Sequence, residues 1–239
     1  MGIIKDDDKK MIADHLAREM VNPVRIVFFT QRTSEQMGFV HECHICQDAG
    51  AMLAELAQLN DKIKVESYDI ATDRAKADEY RIERIPGMAI FGARNYGMRY
   101  YGVPTGFEFN VLVQAVIDVS RGASDLGPLT REKLKGLGAD VHVQLFVTPT
   151  CPYCPGVART LYKMAIENPR VHVSVIEAME FITLAQRYDV RGVPRIVVNE
   201  TLSFEGALPE SGLLAFILKA GGAMSDEEFS KELAKYHHH

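Results

Sequence analysis

Two long apolar runs, one in each half of the chain, dominate the hydrophobic pattern. Residues 24–29 and 141–147 are rich in β-branched and aromatic side chains, and a threonine follows each run. Runs of this length and composition are typical of buried strands. Further apolar runs at 63–70 and 171–176 predict another strand in each half. The pattern therefore predicts the same pair of strands twice.

Apolar residues between these strands recur every three or four positions, which is helical spacing. These positions are Met52, Leu53, Leu56 and Leu59 in the first half, and Val157, Leu161, Met164 and Ala165 in the second. Later apolar runs at 107–119 and 213–218 predict another helix in each half. Each half reads helix, strand, helix, strand, helix, strand, strand, helix, so we expect an α/β fold.

Cysteine and proline positions show that this order is an internal repeat. Cys43 is followed 43 positions later by Pro86, and Cys151 is followed 43 positions later by Pro194. Neighbouring residues correspond at the same offset of 108: Tyr80, Ile82, Ile85, Ala89 and Ile90 match Tyr188, Val190, Val193, Val197 and Val198. The first strands are instead 118 apart, so about ten extra residues lie before Cys43, in the polar stretch that starts at Gln31.

A boundary between the repeats is predicted at 120–128, where glycine, serine and proline interrupt the helical period. We expect one unit at 1–122 and a second at 123–236, each with a mixed central sheet flanked by helices. Three histidines at 237–239 look like the remainder of a purification tag.

Composition narrows the classes of function. The formal net charge is −5 and charges of both signs are interspersed, so no basic stripe for nucleic acid is expected. The N-terminus lacks the apolar core of a signal peptide, and no span of about 18 apolar residues occurs. We therefore expect a cytoplasmic protein without a membrane partner.

All four cysteines belong to two Cys-x-x-Cys pairs, and none is left for a structural bridge. At a helix start, both sulfurs of such a pair lie on one side of the first turn, at a separation that suits a reversible disulfide. Unpaired N–H groups and the helix dipole favour a thiolate at the first cysteine. Cys43 and Cys151 are thus the expected nucleophiles, and Cys46 and Cys154 the expected resolving thiols.

Residues between the cysteines predict unequal sites. His44 can add partial positive charge beside Cys43, whereas Pro152 stiffens the second turn next to Tyr153. The extra residues at 31–42 could limit access to Cys43. We therefore expect the second pair to supply most of the simple disulfide reductase activity.

Pro86 and Pro194 are ordinary turn or edge-strand prolines if each is considered alone. Their equal spacing from two cysteine pairs favours cis peptide bonds that bring these loops beside the sulfurs. The backbone of Ile85 or Val193 could then pair with an extended client segment, as in strand addition. These four residues are the expected substrate-binding positions.

Residues 146–154, Phe-Val-Thr-Pro-Thr-Cys-Pro-Tyr-Cys, resemble the active-site strand and turn of glutaredoxins. Together with Val193 and Pro194, they resemble the protein disulfide oxidoreductases of thermophiles, which have two tandem thioredoxin folds. The resemblance implies reduction, formation or isomerisation of protein disulfides without a bound cofactor. Expected partners are disulfide-containing client proteins and an upstream flavoenzyme similar to thioredoxin reductase. Unit one keeps this framework but departs between its cysteines and in its longer preceding loop.

The same resemblance implies a buried charged group near each disulfide. Leu145 stands at the strand position where thioredoxin has an aspartate. Asp69 and Glu177 correspond across the repeat and are candidate substitutes. A solvated carboxylate at the end of a strand is an equally good interpretation of each.

Other classes of function remain open. His41, Cys43, His44 and Cys46 could bind zinc, although the second site offers no histidine, so no metal site is expected. Gln47 and Pro155 stand where haem attachment needs a histidine. A non-catalytic polypeptide-binding module and an electron-transfer module for a dedicated peroxidase are the alternatives. The sequence does not determine the net direction of exchange.

Overall fold

A computed structural model of the chain describes residues 4–31 and 43–236. The segment of extra residues before Cys43 and the histidines at 237–239 lie outside the described residues. No helix in the described ranges is long and apolar enough to cross a membrane.

Unit one follows the predicted order of elements. Its helices and strands are α1 (Asp6–Glu19), β1 (Val24–Thr30), α2 (His44–Gln58), β2 (Ile63–Asp69), α3 (Arg74–Tyr80), β3 (Gly87–Phe91), β4 (Asn95–Tyr101) and α4 (Phe107–Arg121).

Unit two repeats this order. Its elements are α5 (Pro128–Leu134), β5 (Val141–Val147), α6 (Cys154–Glu167), β6 (Val171–Glu177), α7 (Ile182–Arg187), β7 (Arg195–Val198), β8 (Leu202–Glu205) and α8 (Glu210–Ala220). A short helix that the sequence pattern did not predict, α9 (Asp226–Leu233), follows and begins with a capping box at Ser225.

The strands form one eight-stranded sheet in the order β2-β1-β3-β4-β6-β5-β7-β8. Within each unit the first strand pairs in parallel with one neighbour and antiparallel with the other. The units meet where β4 pairs in parallel with β6, with Met98 opposite Val173 and Tyr101 opposite Ile176. The sequence predicted a sheet for each unit, and the seam between β4 and β6 joins the two into one.

Side-chain alternation along the strands builds a core on each face of this sheet. On β1, Ile26 and Phe28 contribute to the core beneath α1, α2, α4, α6 and α8, whereas Val27 and Phe29 contribute to the core beneath α3 and α7. Because β1 and β5 point in the same direction, the cysteine pairs that follow them lie at one edge of the sheet.

The predicted division near residue 122 stays a prediction. Helix α4 ends at Arg121, and Gly122 takes up a left-handed conformation (φ 67°) that stops the helix and turns the chain. The following residues lead directly into α5 at Pro128.

Candidate active site

Cys43 and Cys46 form a disulfide at the start of α2. Their Cα atoms are 5.2 Å apart, and the Cys46 N–H donates to the Cys43 carbonyl oxygen at 3.0 Å. Cys43 is the N-cap of the helix and Cys46 lies in its first turn, where its side chain is buried. The local geometry is therefore the one expected of a reversible disulfide at a helix N-terminus.

Cys151 and Cys154 form the corresponding disulfide at the start of α6, with Cα atoms 5.5 Å apart. The Cys154 N–H donates to Cys151 Sγ at 3.1 Å. The same N–H would stabilise a thiolate at Cys151 after reduction. Cys151 Sγ also lies 3.7 Å from the carbonyl oxygen of Val193. The second proline loop is thus in contact with the nucleophile expected from the sequence.

The Ile85–Pro86 and Val193–Pro194 peptide bonds are both cis, as the sequence predicted. Each proline carbonyl accepts a hydrogen bond from a glycine N–H further along the chain, Gly102 at 2.9 Å in unit one and Gly206 at 2.8 Å in unit two. The two loops are therefore held in the same way in both units.

The first cysteine of each pair differs in solvent exposure, and the order is the reverse of the accessibility that the sequence predicted. Cys43 is partly exposed, whereas only 6% of Cys151 is accessible to solvent. The extra segment proposed to restrict Cys43 lies outside the described residues. His44 is exposed beside the first sulfurs, and Pro152 and Tyr153 are exposed beside the second, Tyr153 by 67%. These three intervening residues can thus meet a client.

Asp69 and Glu177 are buried, with 6% and 1% of their surfaces exposed, so the interpretation of both as solvated carboxylates is wrong. Asp69 Oδ1 accepts the N–H groups of Ala71 and Thr72 and stabilises the turn after β2. Glu177 Oε2 accepts the Glu180 N–H at 2.5 Å, while its Oε1 has no hydrogen-bond partner in the described structure. Burial raises the pKa of Glu177.

Glu108 is a buried carboxyl that the sequence analysis missed. It lies in the first turn of α4, is fully buried, and neither carboxylate oxygen has a hydrogen-bond partner among the described residues. Its neighbour Phe107 donates its N–H to the carbonyl oxygen of Pro149 at 3.0 Å. Pro149 lies two residues before Cys151. A side chain at Gly106 would place Cβ 2.4 Å from the same oxygen, so glycine permits this close approach.

Burial, followed by repulsion from Glu177, raises the pKa of Glu108 to about 7. Burial likewise raises the pKa of Glu180 to about 7, with further contributions from Glu177 and from Asp48 on α2. Glu180 Oε2 accepts the Val103 N–H at 3.0 Å, which ties the two units together at the active-site edge. A carboxyl with a pKa near 7 exchanges protons readily at neutral pH.

Glu108 carries only a weak sequence signal. It lies near the start of an otherwise apolar helical run, where a first-turn glutamate ordinarily interacts with the helix dipole at the surface. Its burial depends on unit two lying over α4, which the repeat pattern does not specify.

The zinc alternative rests partly on His41, which lies outside the described residues. Among residues 4–31 and 43–236, no three histidine, cysteine, aspartate or glutamate side chains are arranged to hold a metal ion.

A thioredoxin domain model matches residues 141–219, which covers most of unit two. A protein disulfide oxidoreductase from Aeropyrum pernix has a similar structure, with a TM-score of 0.81 and 29% identity over 92% of this chain and 95% of that one. An alkylhydroperoxide reductase domain from Enterococcus faecalis shares the fold at a TM-score of 0.80 and 22% identity, over 90% of this chain and 99% of that one.

Curated relatives include an alkyl hydroperoxide reductase component of Pseudomonas aeruginosa, 28% identical over 74% of this chain and 32% of that protein. The chain spans about a third of the length of the first curated relatives that it matches. The resemblance expected from the sequence is confirmed: the chain is a tandem thioredoxin-fold protein, similar over nearly its whole length to a protein disulfide oxidoreductase.

Proposed function

We propose that this chain is a thiol–disulfide oxidoreductase that reduces, forms or isomerises protein disulfides at two Cys-x-x-Cys sites. The observation that carries the proposal is the geometry repeated in both units. In each unit, a disulfide lies at the start of a helix and a cis-proline loop follows further along the chain. In unit two, the carbonyl oxygen of Val193, 42 residues after Cys151, contacts Cys151 Sγ. A chain that only bound polypeptides would not need either cysteine pair.

In the reductive direction, the Cys151 thiolate attacks one sulfur of a client disulfide. The client S–S bond breaks, its other sulfur leaves as a thiolate, and a mixed disulfide forms. Cys154 then attacks Cys151 Sγ, which releases the second client thiol and restores the Cys151–Cys154 disulfide. Two electrons have passed to the client. Cys43 and Cys46 have the same roles in the first site.

The proline loops are proposed to hold the client. The Val193 carbonyl oxygen, before the cis bond to Pro194, lies 3.7 Å from Cys151 Sγ, and Ile85 before Pro86 is proposed to take the equivalent position beside the first disulfide. An extended client segment can pair with that backbone, which orients its sulfur towards Cys43 or Cys151. His44, Pro152 and Tyr153 are proposed to adjust the reduction potentials and the choice of client, since they lie exposed between the reacting sulfurs.

Glu108 is proposed to exchange a proton with the second site during the resolving step. Cys154 must lose its proton to attack the mixed disulfide, and its burial disfavours the free thiolate. Glu108 is buried, its neighbour Phe107 donates to the Pro149 carbonyl oxygen, and its pKa is about 7, so its carboxylate can accept a proton at neutral pH.

Insulin reduction driven by dithiothreitol tests the main proposal. Wild-type protein should precipitate the insulin B chain well above the uncatalysed rate, and a variant with serine at all four cysteine positions should not. Equal rates for the two proteins would contradict the assignment.

A second candidate is an electron-transfer module that passes reducing equivalents from a flavoenzyme to a dedicated peroxidase. Similarity to alkyl hydroperoxide reductase components favours it. Poor insulin reduction together with fast reduction of a peroxidase disulfide would support this candidate. In either role we propose a thioredoxin-reductase-like electron donor and a cytoplasmic location. The reduction potential of each site, measured against a glutathione buffer, gives the net direction.

A further inference from the structure

A polar pocket of about 270 Å³ lies at the seam between the units, on the sheet face covered by α3 and α7. Unit one contributes Arg81, Arg84 and Arg99, and unit two contributes His142, His172 and Ser174. Arg99 on β4 stands directly opposite Ser174 on β6, so the floor of the pocket is the seam itself.

Arg99 is the unusual residue of the pocket, because only 4% of its surface is exposed. Its Nε donates to the Tyr80 carbonyl oxygen at 3.0 Å, and its Nη1 donates to the Gly97 carbonyl oxygen at 3.4 Å. Both of these hydrogen bonds go to backbone carbonyl oxygens, and no carboxylate of the described residues forms an ion pair with Arg99. Burying a guanidinium without a counter-charge is costly, because the charge loses its hydration.

Further donors surround this guanidinium. Arg81 Nη1 lies 3.4 Å from His172 Nε2, and His142 Nε2 lies 2.9 Å from Ser174 Oγ. His172 Nδ1 is buried without a partner in the described structure. Burial, followed by the charge of Arg99, lowers the pKa of His142, and burial, followed by the charges of Arg81 and Arg99, lowers the pKa of His172.

The carboxylates of the pocket, Glu83 and Asp140, lie at its rim. Their side chains are 64% and 61% exposed, so water screens them from the buried guanidinium. Glu83 pairs with Arg84 at 2.9 Å, and Asp140 pairs with Arg170 at 3.3 Å and lies 3.9 Å from His172 Nε2. Neither forms an ion pair with Arg99, and the charge of Glu83 acts on it from a longer distance.

We propose that this seam pocket binds a phosphate-type dianion, with Arg99 and Arg81 as its principal ligands. Arginine presents a planar fork of donors that matches two oxygens of a tetrahedral phosphate, and the histidine and serine side chains add donors for the remaining oxygens. The bound dianion supplies the counter-charge that Arg99 lacks. Because its ligands come from both units, it also links the units across the seam.

Inorganic phosphate and a small phosphate monoester share this chemistry, and the pocket has room for either. Calorimetric titration of the full chain with inorganic phosphate and, separately, with glycerol 3-phosphate distinguishes them. We expect saturable binding of one anion per chain. The compound that binds more tightly, inorganic phosphate or the phosphate monoester, identifies the class of natural ligand. Sodium chloride at matched ionic strength should give no saturable binding.

Arg99→Gln and Arg81→Gln should each weaken phosphate binding by about tenfold or more, the effect of removing one charge-assisted hydrogen bond. Arg131→Gln, an exposed position on α5 with the same change in charge, is the matched control and should bind as wild type does. Arg81 is exposed at the end of α3, so its variant remains informative if Arg99→Gln does not fold.

Phosphate should also raise the thermal unfolding temperature of wild type and of Arg131→Gln, but not that of Arg81→Gln. The proposal is overturned if neither phosphate ligand binds saturably. It is equally overturned if Arg81→Gln and Arg131→Gln bind with the same affinity. Both readouts are independent of the cysteines, so failure here leaves the proposed redox function intact.

Discussion

The two disulfide sites share a scaffold but have different surroundings. Each follows the first strand of its unit, begins a helix and is accompanied by a cis-proline loop. Among the described residues, the second site has α4 of the other unit against its active-site loop, through the hydrogen bond from Phe107 to Pro149. The equivalent helix of unit two, α8, packs against α5, α6 and α9.

This difference follows from how the units are joined. The seam pairs β4 of unit one with β6 of unit two, which are not equivalent strands, so the contact is head-to-tail and leaves β2 and β8 at the ends of the sheet. A repeat joined in this way gives its two copies unequal environments. Matched spacing in sequence therefore predicts matched scaffolds, while the chemistry at each site depends on what lies against it.

The largest effect should come from removing whole sites. Replacing Cys151 and Cys154 by serine should abolish most insulin reduction, because α4, which carries the buried Glu108, lies against the loop of this site. Replacing Cys43 and Cys46 should leave most of it. The measurement is insulin turbidity at equal protein concentration, alongside refolding of a scrambled disulfide protein. If the first-site variant lost most of the activity and the second-site variant kept it, the first site would be the main reductase site. The greater exposure of Cys43 would then matter more for activity than the surroundings of Cys151.

Glu108→Gln should lower insulin reduction by about 10- to 100-fold, because it removes the proposed proton acceptor without changing side-chain size. Glu210→Gln, in the first turn of the equivalent helix α8, is the matched control, since Glu210 accepts a hydrogen bond from Thr130 instead. The pH–rate profile separates roles: wild type should show an ionisation near 7 that the Glu108 variant lacks. A variant with full activity and an unchanged profile would remove Glu108 from the mechanism.

Stability should fall as pH rises from about 5 to 8. Glu108 and Glu180 have raised pKa values of about 7 in the folded protein, so their protonated forms stabilise the fold below the unfolded-state pKa, and this contribution is lost as pH passes 7. For fully buried Glu108 the loss is on the order of 2–3 kcal/mol, and it is smaller for partly exposed Glu180. Urea unfolding at each pH measures the free energy of unfolding, and Glu108→Gln should make this free energy depend less on pH. A pH-independent wild type would show that Glu108 is not ionising in this range.

The smallest expected effect is a difference between the two sites in the pKa of the first cysteine thiol. Both Cys43 and Cys151 should titrate below the roughly 8.5 of a free thiol, because Cys43 is the N-cap of α2 and Cys151 Sγ accepts the N–H of Cys154, the first residue of α6. His44→Ala should raise the pKa of Cys43 by less than about one unit and leave that of Cys151 unchanged. The ultraviolet absorbance of the thiolate reports both in variants that retain one site. Values at or above that of a free thiol at both sites would contradict the helix-start assignment.

Local patterns were sufficient to predict much of this molecule. Apolar runs and helical spacing predicted both first strands and the helices that follow them, and equal cysteine-to-proline spacing predicted both cis bonds. These features depend on residues close together in sequence, or on a repeat that can be recognised from equal residue spacing. Asp69 and Glu177 show the limit of such reasoning, because their burial depends on the elements packed over the strand ends.

The sequence by itself determined the two-unit α/β scaffold, the position of each disulfide at a helix start and the cis-proline loops, because strand periodicity, helix capping and turn chemistry act over short distances. Only the tertiary structure decided that β4 and β6 join the units into one sheet. The joining of the units also places the buried Glu108 on a helix that packs against α6, and the buried Arg99 in the polar pocket. Such environments depend on contacts between residues distant in the chain, and a repeat in sequence does not specify which edges of its copies meet.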